Sequence, residues 1–195
     1  MILSVINSKG GVGKTTCALL MAEALRRRYG SVEVWDVDPQ GSAVDWSDAA
    51  EEDGDPLSFP VVPLTKARLR RKEPETDYVV IDTPPGDPEA IDLAARRSDF
   101  VLIPTDASPM DMKRAAATLD TLGAPAAILF YRVNVRTQLY AVARNWVESE
   151  DVSYLEAVVP FREDAKKIVD TGITYEDLYG VEAVVSELVT TLTED

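Results

Sequence analysis

Residues 8–16 read Ser8-Lys9-Gly10-Gly11-Val12-Gly13-Lys14-Thr15-Thr16. A short apolar stretch over 2–6 precedes them, and an amphipathic helix-period stretch over 14–29 follows. They therefore form a glycine-rich turn from a strand into a helix, the setting a phosphate-binding loop needs. Glycine lets backbone N–H groups turn inward and cradle oxygens. The helix N-terminus adds free donors and the positive end of its dipole. Lys14 can reach the terminal phosphates as a point charge. The Thr15 hydroxyl can sit on Mg²⁺, which prefers oxygen ligands. Gly10, Gly11, Val12, Gly13, Lys14, Thr15 and Thr16 are thus the expected nucleotide-binding residues. The competing reading, a turn without ligand, is disfavoured by the Gly-Lys-Thr ending and by the flanks. Ser8 stands where the motif has its first glycine, and a second lysine, Lys9, lies inside the loop.

Outward from this loop, short β-branched runs alternate with helix-period stretches. Strands are expected over 2–6, 32–36, 59–62, 78–82, 100–104, 126–131 and 154–159. Helices are expected over 14–29, 43–51, 65–72, 88–97, 109–122, 136–148, 162–170 and 181–192. Such alternation predicts a doubly wound α/β fold with a mainly parallel sheet flanked by helices. Several strand runs are continuously apolar, as in strands covered on both faces. The acidic, breaker-rich segment 48–60 reads as a surface loop, so 1–195 is expected to be a single domain.

Two strands end in carboxylates. Trp35-Asp36-Val37-Asp38-Pro39-Gln40-Gly41-Ser42 closes the second. Alternation puts Asp36 and Asp38 on one side, and Pro39 keeps Asp38 extended. Ligands of open α/β sheets bind beyond strand C-termini. A carboxylate there can hold water on Mg²⁺ or position a water for attack on a γ-phosphate; a plain Asx turn is the alternative. Tyr78-Val79-Val80-Ile81-Asp82-Thr83-Pro84-Pro85-Gly86 is an apolar strand ending in Asp82, a pattern whose Asp reaches Mg²⁺ directly or through water.

Composition narrows the chemistry. There are no histidines and one cysteine, Cys17, in 195 residues. Imidazole-dependent nucleophiles, His-ligated metals, disulfides and thiolate clusters within one chain are excluded. Lys plus Arg is 20 and Asp plus Glu is 34, so the net charge is −14. That suits solubility and leaves room for a local basic patch. Neither a signal peptide nor a membrane-spanning run is found, and a cytoplasmic protein is expected.

Lys9-Gly10-Gly11-Val12-Gly13-Lys14-Thr15-Thr16, with DVDPQGS over 36–42 and IDTPPG over 81–86, resembles the deviant Walker A motif and both switch regions of the ParA/MinD family of P-loop ATPases. Phe100–Asp111 and Trp46 resemble its small plasmid-type ParA members. The resemblance implies ATP and Mg²⁺ as ligands and an ATP-dependent homodimer. On the residues alone, Lys9 is a solvated loop lysine or a functional one; the resemblance implies that it reaches the partner's phosphates. It likewise implies that Asp38 orients the hydrolytic water, and that Thr15, Asp36 and Asp82 serve the metal, Asp36 from its outer sphere. Catalytic roles thus fall on Lys9, Lys14 and Asp38. Adenine is expected between the loops at Tyr131–Asn134 and Pro160–Arg162, which names Arg132, Asn134, Pro160 and Phe161.

The resemblance implies a partition ATPase that binds nonspecific DNA, gathers on the nucleoid with ATP and answers to a centromere-binding, ParB-like adaptor. Because the loop starts near residue 7, no N-terminal helix-turn-helix domain is expected. DNA binding needs a basic face. Arg136, Arg144, Arg162, Lys166 and Lys167 are its candidates, with solvated charges as the alternative. Positioning of a protein cargo is a second reading, and an ATP-dependent synthetase a third. Membrane cycling is disfavoured. The tail over 181–195 has an apolar stripe (Val181, Val184, Val185, Leu188, Val189, Leu192) but no Lys or Arg, so the stripe reads as core packing.

Overall fold

The computed structural model describes residues 1–193, with the side chain of Lys166 left aside. Its strands are β1 (Ile2–Val5), β2 (Val32–Asp36), β3 (Val61–Pro63), β4 (Tyr78–Asp82), β5 (Phe100–Thr105), β6 (Ala126–Val133) and β7 (Val159–Pro160). They form one parallel sheet in the order β3-β2-β4-β1-β5-β6-β7. Helices α1 (Lys14–Arg28), α2 (Ser42–Glu52), α3 (Lys66–Leu69), α4 (Pro88–Arg97), α5 (Pro109–Thr121), α6 (Gln138–Ser149) and α7 (Val181–Thr193) cover both faces. This is the doubly wound architecture expected from the alternation of elements.

The strands are apolar on both sides because both sides are covered. Val80, Leu102, Leu129 and Tyr131 join a core with α1, α2 and α7. Their neighbours Val79, Ile81, Val101, Ile103, Ile128 and Phe130 join a second core with α4, α5 and α6. Side chains alternate across a strand, so each strand feeds both cores.

α1 differs from the expected amphipathic helix. Every residue from Cys17 to Leu25 is buried, Glu23 included. α7 crosses the face of α1 that a surface helix would show to solvent. Burial also pushes the Cys17 thiol upward, so it stays protonated. Glu23 keeps its charge inside because Arg26 and Arg27 both donate to its carboxylate, at 2.9 and 2.6 Å.

The far edge of the sheet is less regular than expected. The strand read over 154–159 reduces to Val159–Pro160 plus a single bridge from Tyr154 to Ile128. The helix expected over 162–170 is a 3-10 segment, Asp164–Ile168. α3 is one turn, Lys66–Leu69, inside the expected 65–72. The α7 stripe is buried from Val181 to Val189, as core packing requires; Glu194 and Asp195 lie outside the described residues. Among the described residues no helix is long and apolar enough to cross a membrane.

Candidate functional site

β1 lies inside the sheet between β4 and β5, and the chain winds outward from it in both directions. The segment leaving β1 therefore sits at the switch point, over the crevice at the strand C-termini. Register brings the carboxylates there. Asp82 is aligned with Val5 on one side and with Asp36 on the other. Two strand-ending aspartates thus stand level with the start of the phosphate loop.

The loop is fastened before it turns. Asn7 is buried; its Nδ2 donates to the Pro104 carbonyl at 2.8 Å and its Oδ1 accepts the Lys9 N–H at 2.8 Å. Gly13 then caps α1 with φ of 88°. A side chain there would be strained, and its Cβ would lie 2.9 Å from Cε1 of Tyr131. Glycine is needed both for the turn and for the approach of β6. Lys14 follows, only 6% exposed, with its Nζ 3.3 Å from the Lys9 carbonyl. Burial lowers its pKa, and Asp82 and Asp38 oppose that shift.

Below Lys14 lies Asp82, 1% exposed, and neither carboxylate oxygen has a hydrogen-bond partner. Burial pushes its pKa up to about 7; the Thr15 hydroxyl, close by though outside hydrogen-bonding geometry, and Lys14 pull back in part, while Asp36 and Asp38 push further up. A buried carboxylate with both oxygens orphaned beside a threonine hydroxyl is an oxygen donor set that fits Mg²⁺. Among the described residues there is no group of three or more acidic side chains able to hold a metal unaided. Mg²⁺ would therefore take most of its ligands from phosphate and water, with Thr15 and Asp82 as the protein's share.

Asp36 is placed beside them but is otherwise engaged. Its carboxylate accepts the N–H groups of Asp38, Ala43 and Val44, at 3.0, 3.1 and 3.2 Å. It ties the 36–44 turn and the start of α2 to the end of β2. Asp38 is half-buried on that turn, and its Oδ1 takes the Gln40 N–H at 2.9 Å. The Asx turn and the water-positioning role are compatible, since the turn fixes the carboxylate that would hold the water. Beyond it, Trp46 donates from Nε1 to the Thr171 carbonyl at 2.8 Å, anchoring α2.

A cleft opens beside the loop, lined by Thr16, Tyr131, Arg132, Pro160, Val169 and Tyr179 among others. Arg132 sits at a break in the β6–β7 register with φ of 58°, a strained value for a residue with a side chain. A second cleft joins Lys9, Gly11 and Val12 to Arg132 and Phe161. Of the residues expected at adenine, Arg132 and Pro160 line the first cleft and Phe161 the second. Asn134 is not brought to either: its Oδ1 accepts the Arg136 N–H at 3.1 Å and shapes the turn into α6.

The basic side chains after β6 divide by exposure and pairing. Arg132, Arg136, Arg162 and Lys167 are exposed and make no ion pair among the described residues. Arg144 is different. It is bound to Glu148 and Glu156 and lies 4.5 Å over the Tyr154 ring, so its charge is spent within the fold. Lys166 lies outside the described side chains.

Residues 3–175 match the CobQ/CobB/MinD/ParA nucleotide binding domain. The chain belongs to that family. Within it, the chain is 33% identical over 167 residues to maintenance of carboxysome distribution protein A of Gloeobacter kilaueensis, covering 81% of this chain and 76% of that one. The fold matches a Cyanothece McdA variant solved with ATP at a TM-score of 0.73, with 18% identity over 97% of this chain and 96% of that one. It matches pNOB8 ParA bound to nonspecific DNA at 0.64, with 18% identity over 100% and 99%. The structural likenesses are likenesses of fold.

Three residues of the site escape sequence reading: Asn7 as the loop's anchor, Tyr131 as the wall behind Gly13, and Asp111 as the partner of Lys9, with Nζ to Oδ2 at 2.8 Å. The Asn7 and Asp111 bonds cross about a hundred residues. Asp111 did fall in the Ser108-Pro109-Met110-Asp111 stretch noted for its family likeness, with Ser108 three positions before it at the start of a helix, but nothing there pointed to Lys9.

Proposed function

We propose that the chain is a cytoplasmic Mg²⁺-dependent ATPase that dimerises with ATP, binds nonspecific DNA in that state and uses it as a scaffold to position a cargo. The observation that carries this reading is the loop itself: a buried Lys14 over the orphaned Asp82, with a second lysine, Lys9, at the rim. Lys14 and the loop amides bind phosphate oxygens. Thr15 and Asp82 hold Mg²⁺, which neutralises charge on the phosphates. Asp38 orients water toward the γ-phosphate. Lys9 reaches the phosphates bound by a second copy, from a cleft that the exposed Phe161 also lines.

A protein cargo is favoured by the similarity to the carboxysome distribution protein. Partition of a plasmid or chromosome through a ParB-like adaptor is the second reading, supported by the fold shared with pNOB8 ParA. Both need the same DNA-bound dimer. The test is binding of Asp38→Ala to random-sequence duplex DNA with ATP and with ADP across a salt series. ATP-dependent binding that weakens steeply with salt is expected. An ATP-bound dimer that ignores DNA at low salt overturns the scaffold.

A further inference from the structure

We propose that Asp111 is a positioning residue for Lys9: in the nucleotide-free monomer it holds the Lys9 ammonium in cis, and so competes with the phosphates of a partner copy. The inference rests on the trans role argued above for Lys9.

The contact is built rather than incidental. Asp111 is 7% exposed, in the first turn of α5. Its Oδ2 takes Lys9 Nζ at 2.8 Å and the Ser108 hydroxyl at 2.8 Å. The Asp111 N–H returns to Ser108 Oγ at 3.3 Å, and the Ser108 N–H is held by Asp106 Oδ1 at 2.6 Å. The carboxylate therefore has a fixed place before Lys9 arrives. Lys9 is fixed on its own side by the Asn7 side-chain oxygen on its N–H and by Lys14 Nζ on its carbonyl. Both loop lysines are thus engaged by protein acceptors.

The pair is also built to be released. The Lys9 side chain remains 38% exposed, and the second cleft opens directly onto it. Asp111 sits at a helix N-terminus, whose dipole already stabilises its charge, so loss of Lys9 does not leave it bare. A triphosphate offers more negative charge than one carboxylate and wins once a partner brings it within reach. The cost of breaking the cis pair then sets how much ATP the dimer needs.

The experiment titrates a non-hydrolysable ATP analogue, with Mg²⁺, against dimer formation measured by sedimentation. Asp111→Asn keeps the shape and removes the charge. It is expected to lower the analogue concentration at half-dimerisation ~3–10-fold, the range for a partly exposed charged pair. In a Lys9→Ala background the same change is expected to shift nothing, a coupling that a merely structural role would not produce. An unchanged or raised midpoint for Asp111→Asn, with the melting temperature of the wild type, overturns the proposal. If Asp111→Asn fails to fold, Ser108→Ala takes its place, with a shift of ~2-fold in the same direction expected and no shift overturning it. The two readings fail separately. Normal dimerisation by Lys9→Ala defeats the trans contact, whereas weak dimerisation by Lys9→Ala, together with no response to Asp111→Asn when Lys9 is present, defeats only the cis hold.

Discussion

Asp82 shows what one residue at the sheet centre can cost and supply. Its pKa, pushed up to about 7 by burial, lies above the 3.8 of a free side chain. The folded state therefore binds this proton more tightly than the unfolded chain. Its contribution to stability is full below about pH 4 and is lost as pH rises toward 7. Above that the empty protein carries a buried, unpaired charge. Asp82→Asn is accordingly expected to stabilise the nucleotide-free protein at pH 8 by roughly 1–3 kcal/mol and to lower Mg²⁺-dependent hydrolysis by ~100-fold or more. Melting curves across pH 4–8 check the first part: the gain should grow through the window and level off. A gain that does not change with pH would show that the carboxylate is ionised throughout. The residues of this centre were legible because each belongs to a short local pattern: Lys14 and Thr15 to the loop, Asp82 to a strand end. The place of Asp36 was legible, but its backbone contacts were not. Nothing in DVDPQGS says that its Oδ2 is taken by the N–H groups of Ala43 and Val44.

At the scale of elements, the turn between β1 and α1 depends on β6. Gly13 faces Tyr131, whose ring is buried and closes one side of the cleft. Gly13→Ala would place its methyl group 2.9 Å from that ring at φ of 88°. The change is expected to cost roughly 1–3 kcal/mol of stability and to weaken ATP binding at least ~10-fold. Gly123→Ala, which meets nothing within 4 Å and has no left-handed φ, is the control and should bind ATP as the wild type does. Equal binding by both variants would remove Tyr131 from the site. β1, β2, β4, β5 and β6 were readable because their strands are long enough to show an apolar run. β7 was not, because two residues and one isolated bridge carry no period. The burial of α1 was hidden for a related reason. Its mixed surface, with Glu23 inside, is satisfied by Arg26 and Arg27 and by a helix from the far end of the chain.

For the whole molecule, a net charge of −14 must coexist with attraction to DNA. The two are compatible only if positive charge is local and unspent, since the nonspecific term counts phosphates neutralised at the interface rather than the total. The fold separates these classes, which the sequence left mixed. Arg144 resembles Arg136 in the sequence, yet Glu148 and Glu156 neutralise it and Tyr154 covers it. Arg136, Arg162 and Lys167 are exposed without a carboxylate partner among the described residues. Each of these three, changed to Ala, is expected to reduce the slope of log affinity against log salt by ~1 for every phosphate it no longer neutralises. The proportional loss should be the same on any DNA sequence. Arg144→Ala should instead leave the slope alone and lower the melting temperature, because it unpairs two glutamates and uncovers an aromatic ring. Salt titrations of the four variants on one random duplex, each with ATP, separate the outcomes. A slope that falls with Arg144 and not with the other three would place the DNA on the α6 side and move the proposed face away from the base cleft.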